Sequence, residues 1–198
     1  MIFFMGQYYM PMLTDKNNNK TVYNRDVDGE YTLAKLMEHS WWLNPFVNAI
    51  CKEVYHNPQR IIWVGDYSDG YNPVDPTPND IPFDELKKIH SYVWTDESVL
   101  RIGVKSTDFT LNDKFLVNHT KKVCLDGNSY YKRCVFDGGW CIHPLPLLTA
   151  IGNGFGGGDY HQGTNLSDVG SWANDLISVE DTVPEGYTLV PDYCFIED

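Results

Sequence analysis

The residues of this 198-residue chain that are best suited to chemistry lie together in residues 152–161. Five of the first seven are glycine, and an acid, a phenol and an imidazole follow directly. Glycine reaches positive φ at no steric cost and lets a ligand or another strand approach the backbone closely. Successive backbone amides can also form a concave anion site. The stretch predicts a ligand-binding loop, with a merely connecting surface loop as the alternative; its predicted binding residues are Gly154, Gly156, Gly157, Gly158, Asp159 and Tyr160.

A second Gly-Asp-Tyr segment occurs at residues 65–67. It follows residues 61–64, a continuous apolar run of the kind found in strands that are covered on both faces. Side chains just beyond such a strand are well placed to contact a ligand, so Asp66 and Tyr67 join the predicted ligand-binding residues. The sequence leaves open whether the two segments share one site.

Acid and base chemistry would need a histidine that is oriented by a carboxylate. The catalytic candidates are His161, Asp159 and His143. The chain contains no Gly-x-Ser-x-Gly elbow and no thiol-protease signature. These residues therefore stay candidates, and whether the protein is an enzyme stays open.

The sequence gives weak signals for cofactors and metals. Residues 152–157 satisfy the dinucleotide fingerprint as a string, but no helix is predicted to follow them. Cys134, Cys141 and His143 carry donors suited to zinc, yet no Cys-x-x-Cys pair anchors them. We expect no cofactor and no metal, and we interpret the cysteines as buried thiols.

Composition limits the classes of partner. Fifteen Lys and Arg against twenty-seven Asp and Glu give a net charge of -12, which disfavours binding to a phosphate backbone. The sequence contains neither a signal peptide nor a run of eighteen apolar residues, so we expect a cytoplasmic protein without membrane contact. Hydrophobic residues make up 42% of the chain, typical of a globular protein, and the oligomeric state is left open.

The elements that must position these residues follow from periodicity and turn signals. Asn44 is placed to cap a helix, and Phe83 falls on the inward face of another. Helices mainly in the first half and strands mainly in the second predict a single α+β domain over residues 1–198, with about three helices and an antiparallel or mixed sheet. The predicted helices are residues 33–41, 45–56 and 82–93; the predicted strands are residues 2–13, 21–23, 61–64, 99–104, 114–117, 123–125, 131–136, 176–179 and 187–190.

Six segments spread over most of the chain resemble a group of uncharacterised proteins from Gram-positive bacteria and their phages. The resemblance implies a single intracellular domain of phage or prophage origin, in which residues 1–4 are an N-terminal extension. It implies no catalytic residue. The segments are MGQYY at residues 5–9, LMEHSW at 36–41, WVGDY at 63–67, LVNHTKK at 116–122, HPLPLL at 143–148 and GNGFGGGDY at 152–160.

Two functions are consistent with these features. The first is an acidic binding protein that inhibits or sequesters a host or defence component, through a protein or nucleotide ligand. The alternative is a small enzyme acting on a phosphate-bearing nucleotide, with the glycine-rich loop holding the anion and the adjacent His and Asp supplying acid and base.

Overall fold

A computed structural model describes residues 7–27, 30–69, 81–105, 107–135, 139–152 and 168–190. Within these ranges the protein is an α+β fold in which ten strands form one mixed sheet. This confirms the predicted fold class. The helices are α1 (Pro45–Glu53), α2 (Phe83–His90), α3 (Gly127–Cys134) and α4 (Pro144–Thr149), and a π-helical turn (Ser91–Thr95) continues α2; the strands are β1 (Tyr9–Thr14), β2 (Lys20–Val27), β3 (Glu30–Thr32), β4 (Gln59–Gly65), β5 (Arg101–Val104), β6 (Phe115–Asn118), β7 (Val123–Asp126), β8 (Ala150–Ile151), β9 (Leu176–Glu180) and β10 (Thr188–Leu189).

The sheet runs in the order β10-β7-β6-β9-β4-β1-β2-β3, with β8 paired to β4 and β5 paired to β2. Most neighbours are antiparallel, whereas β4–β8, β2–β5 and β7–β10 are parallel. The predicted first hairpin is confirmed, because β1 and β2 pair antiparallel around the Asn-rich turn. β4 lies near the centre of the sheet.

Alternation along the central strands builds a core on each face of the sheet. On β4, Ile61 and Trp63 belong to one buried cluster, whereas Ile62 and Val64 belong to the other. The first cluster packs against α1 and α4, and the second against α2. The prediction that residues 61–64 are covered on both faces is therefore confirmed.

The start of α1 follows from its sequence. The Asn44 side chain accepts hydrogen bonds from the backbone amides of Phe46 and Val47, and Pro45 occupies the first helical position. Asparagine is a preferred N-cap, and proline at the first position loses no helical hydrogen bond. The predicted cap is confirmed.

Two predicted elements are wrong. Residues 33–41 do not form a helix: Leu33 is 44% exposed, Ala34 bridges to Tyr9, and a turn follows at residues 36–39. Backbone bonding of the helical type is limited to one turn, in which the His39 amide donates to the Lys35 carbonyl oxygen at 3.2 Å. Ala34 and Leu36 are buried from this irregular segment, so apolar spacing arose here without a helix.

The predicted strand at residues 131–136 is also wrong, because residues 127–134 form α3. Asp126 caps this helix by accepting a hydrogen bond from the amide of Ser129 at 2.8 Å. Residues 126–128, which have the composition of a turn, therefore begin a helix. Phe83 departs from its prediction as well: it is 48% exposed, and the Lys87 ammonium lies 4.2 Å from its ring centroid.

Candidate functional site

The first candidate site lies where the parallel strands β4 and β8 end side by side. Trp63 pairs with Ala150 and Val64 pairs with Ile151, so Gly65 and Gly152 are the next residue on each strand. The segment from Gly65 to Tyr67 and the start of the glycine-rich stretch therefore leave the sheet from the same point. Parallel pairing produces this convergence, since it aligns the carboxyl ends of the two strands.

Both glycines are required by close packing at this point. A Cβ on Gly65 would lie 2.5 Å from Gln7 Nε2 and 3.1 Å from the carbonyl oxygen of Ile151. A Cβ on Gly152 would overlap the Tyr9 hydroxyl and lie 2.9 Å from Gln7 Oε1. The Tyr9 hydroxyl donates a 2.9 Å hydrogen bond to Gln7 Oε1, and both side chains are buried. A buried polar pair therefore lies beneath the two strand ends.

Asp66 is held at this edge by the segment before β1. The Tyr8 amide donates a 3.1 Å hydrogen bond to Asp66 Oδ1, and the Asp66 amide donates to the Tyr8 carbonyl oxygen at 2.9 Å. His90 Nε2 lies 3.1 Å from the Asp66 carbonyl oxygen. Partial burial raises the pKa of the Asp66 carboxyl above its usual value. Asp66 and Tyr67 are both half-buried, so each keeps an accessible part.

Of the remaining predicted binding and catalytic residues, the structure describes only His143. The others lie outside the described residues: Gly154, Gly156, Gly157, Gly158, Asp159, Tyr160 and His161.

His143, the remaining catalytic candidate, is fully buried at the start of α4. Its Nδ1 accepts a 3.2 Å hydrogen bond from the Leu145 amide, so the proton of the neutral ring is on Nε2, which faces Cys51 Sγ at 3.6 Å. The Trp42 ring lies 5.5 Å away, centroid to centroid. Burial lowers the pKa of His143 to about 3, so the ring stays neutral near pH 7. These contacts give it a structural role as a helix cap.

The structure describes Cys134 and Cys141 as well, both buried. Cys141 Sγ contacts the Ile142 carbonyl oxygen at 3.4 Å. Across the described ranges, no group of three or more His, Cys, Asp or Glu side chains is arranged to hold a metal ion. Burial raises the pKa of Cys51 and Cys124 above the usual thiol value, which keeps both thiols protonated.

A second cluster of titratable groups, around His56, was not predicted. His56 Nδ1 lies 2.6 Å from Glu180 Oε2, and His56 Nε2 lies 3.1 Å from Asp181 Oδ2. The Tyr55 hydroxyl donates a 2.7 Å hydrogen bond to the same Asp181 oxygen. Lys114 Nζ lies 3.5 Å from Asp181 Oδ1. We call these five residues the His56 cluster.

Hydrogen bonds extend the cluster across β9. The Ser178 hydroxyl donates to Glu180 Oε1 at 2.6 Å, and His119 Nε2 lies 2.8 Å from Ser178 Oγ. His119 Nδ1 in turn lies 3.0 Å from the Tyr187 hydroxyl. The sequence could have drawn attention to Tyr55-His56 after a helix and Glu180-Asp181 after a strand, but only the tertiary structure joins them.

The two histidines of this network have opposite electrostatics. The hydrogen bond to Glu180 raises the pKa of His56, whereas desolvation lowers the pKa of His119. Hydrogen bonding to Tyr55 lowers the pKa of Asp181. The network therefore favours a charged His56 and a neutral His119.

Comparison with protein-family models, with curated proteins and with solved structures finds no match for this chain. Among the described residues, no helix has both the length and the apolar composition needed to span a bilayer.

Proposed function

We propose that this chain is an acidic binding protein of phage or prophage origin that sequesters or inhibits a host component, and that its ligand is a nucleotide held where β4 and β8 end. The observation that carries the proposal is the parallel pairing that brings Gly65 and Gly152 side by side. It makes the first Gly-Asp-Tyr segment, at residues 65–67, and the start of the glycine-rich stretch neighbours.

General features of sheets support this location. Ligands of open sheets with parallel strands bind in the crevice beyond the carboxyl ends of the strands, where the following loops diverge. Here one following loop begins with Asp66 and Tyr67, and the other begins the glycine-rich stretch. At this edge of the sheet a ligand could contact the polar side chains of Asp66 and Tyr67 and also approach the backbone of the glycine-rich stretch.

The chemistry of Asp66 orients the ligand. A carboxylate accepts hydrogen bonds and repels phosphate, so Asp66 suits the hydroxyl groups of a ribose or the amino group of a base. The phosphate would lie away from it, against the glycine amides that the sequence predicts as an anion site. Tyr67 offers an aromatic surface on which a base could stack.

The test is ligand-dependent thermal stabilisation of the purified chain by a panel of nucleotides and their unphosphorylated nucleosides. We expect one or more nucleotides to raise Tm and the matching nucleosides to do so less. Asp66→Asn should weaken binding about tenfold, since a hydrogen bond to a charged acceptor contributes about 1.5 kcal/mol. Asp69→Asn is the matched control, because Asp69 is exposed in the same loop and the charge change is identical. Equal affinities for the two variants, or stabilisation by no nucleotide, would contradict the proposal.

The alternative is an enzyme that acts on a phosphate-bearing nucleotide at the same edge. The raised pKa of Asp66 favours it, because a carboxyl shifted towards neutrality can exchange protons more readily. Incubation of the bound nucleotide with protein, followed by chromatography, separates the two. Recovery of intact nucleotide supports sequestration, whereas conversion that Asp66→Asn abolishes supports the enzyme.

A further inference from the structure

The His56 cluster joins the end of α1 to the end of β9, and it shares no residue with the site at β4 and β8. His56 directly follows the last turn of α1 and adopts a left-handed conformation, with φ of 52°. Its amide donates to the Val179 carbonyl oxygen at 3.1 Å, and the Val179 amide donates to the Val54 carbonyl oxygen at 3.1 Å. The backbone thus turns sharply where the ring meets β9, in a conformation that histidine adopts more readily than most residues.

Ring geometry sets the protonation state of this contact. Both ring nitrogens face carboxylates, Nδ1 at 2.6 Å from Glu180 and Nε2 at 3.1 Å from Asp181. An ionised carboxylate only accepts hydrogen bonds, and a neutral imidazole carries one N–H. Both contacts can therefore be hydrogen bonds only when His56 is the imidazolium.

We propose that His56 is a protonation-dependent latch, which as the imidazolium bridges Glu180 and Asp181 and holds the end of α1 on β9, and as the imidazole releases one of the two carboxylates.

The groups around the ring fix the carboxylates in place for this role. Ser178 on β9 occupies the second oxygen of Glu180, and Tyr55 and Lys114 contact Asp181. With His56 protonated, the two carboxylates face two cations; without the proton they face one. Each carboxylate raises the pKa of His56, so the change from imidazolium to imidazole takes place above pH 6.5.

The sign of the effect follows from this shift. The latch contributes to stability fully below pH 6.5, the value in the unfolded chain, and the contribution is lost as the pH rises through the higher pKa of the folded state. Because Glu180 also accepts from Ser178, which contacts His119, release changes the hydrogen-bond network that reaches Tyr187. Alkaline conditions should therefore loosen the end of α1 first.

The primary test is an NMR titration of the His56 ring in the full chain between pH 5 and 9. We expect a pKa above 6.5, and we expect Glu180→Gln and Asp181→Asn each to lower it. His119 provides the internal control, since its pKa should lie below 6.5 in the same spectra. A His56 pKa at or below 6.5 in the unmodified chain would overturn the proposal without any variant.

Amide hydrogen exchange tests the mechanical consequence. His56→Asn removes the charge while keeping a side chain that tolerates positive φ. The backbone amide of Val179 should exchange about threefold more slowly in the unmodified chain than in the variant at pH 6, and the ratio should fall towards one as the pH rises to 9, as expected for a contact of exposed charges. An unchanged ratio across this range would exclude release and leave only a fixed structural contact.

Discussion

Burial leaves His143 with a structural role at the start of α4. Its Nδ1 must accept from the Leu145 amide, and protonation would remove that acceptor inside the core. The sequence makes this residue a catalytic candidate because a histidine oriented by a carboxylate is the recurring general base. The burial of the ring and its hydrogen bond to the Leu145 amide, which the residue type does not reveal, give His143 a structural role instead.

The first prediction is that acid destabilises the protein through His143. With a folded pKa of about 3 against about 6.5 when unfolded, its effect is absent above pH 6.5 and grows as the pH falls towards 3, by up to about 1.4 kcal/mol per pH unit. Urea unfolding at several pH values measures the slope. His143→Asn keeps a capping side chain but does not titrate, so it should reduce the slope although it lowers stability at pH 7. Equal slopes would contradict the assignment.

His56 makes the contrasting case at the residue scale. It is half-exposed, and its two carboxylate contacts raise its pKa where burial lowers that of His143. The sequence places His56 at the end of a predicted helix and His143 outside every predicted helix, and neither position shows what surrounds the ring. The difference arises from what the fold places next to each ring.

At the scale of elements, β8 is the short strand on which the first candidate site depends. It has two residues, and no periodic pattern identifies so short a strand. Its position is fixed by pairing with β4 and by the fit of Gly152 against Tyr9. Packing around Gly152 is therefore a direct test of the site's architecture.

The second prediction concerns this packing. Gly152→Ala should destabilise the protein by about 1–3 kcal/mol, because the new methyl group overlaps the buried Tyr9 hydroxyl. In a Tyr9→Phe background the same substitution should cost less, since the nearest atom has been removed. Denaturant unfolding of the four proteins of this double-mutant cycle gives the coupling energy. Additive effects would show that the end of β8 does not pack on Tyr9.

Local signals explain which elements could be predicted. The Asn44 cap, the run at residues 61–64 and the first hairpin were correct because a cap, an apolar run and a tight turn each act over a few neighbouring residues. Residues 33–41 failed because apolar spacing alone does not establish a helix, and α3 was missed because Asp126 can either begin a turn or cap a helix. Only the hydrogen bond to Ser129 distinguishes these two roles.

At the scale of the whole molecule, β9 joins the two halves of the sheet. Ile177 pairs with Asn118 on β6 and with Gln59 on β4, and its side chain is fully buried in the larger core cluster. Only two residue pairs connect β9 to β4, compared with four between β9 and β6. Burial of Ile177 therefore adds side-chain packing to a short hydrogen-bonded junction.

The third prediction is that Ile177→Ala lowers the free energy of unfolding by about 2–5 kcal/mol, the usual cost of a cavity in a core. Leu189→Ala, on the half-exposed β10, is the control and should change stability by about 0.5 kcal/mol or less. Circular dichroism and tryptophan fluorescence should report one coincident transition, since one core cluster spans both sides of the junction. Two separate transitions would contradict the single domain that the sequence predicts.

The sequence by itself determined the α+β class, the central buried strand, the α1 cap and the presence of Asp66 and Tyr67 at a strand end. These features depend on interactions between near neighbours in the chain. Only the tertiary structure decided that β8 runs beside β4, that His143 is buried, and that His56 meets Glu180 and Asp181. The segments that meet in each case are far apart in the chain. The order of strands in the sheet determines which of them come together, and no local sequence pattern specifies that order.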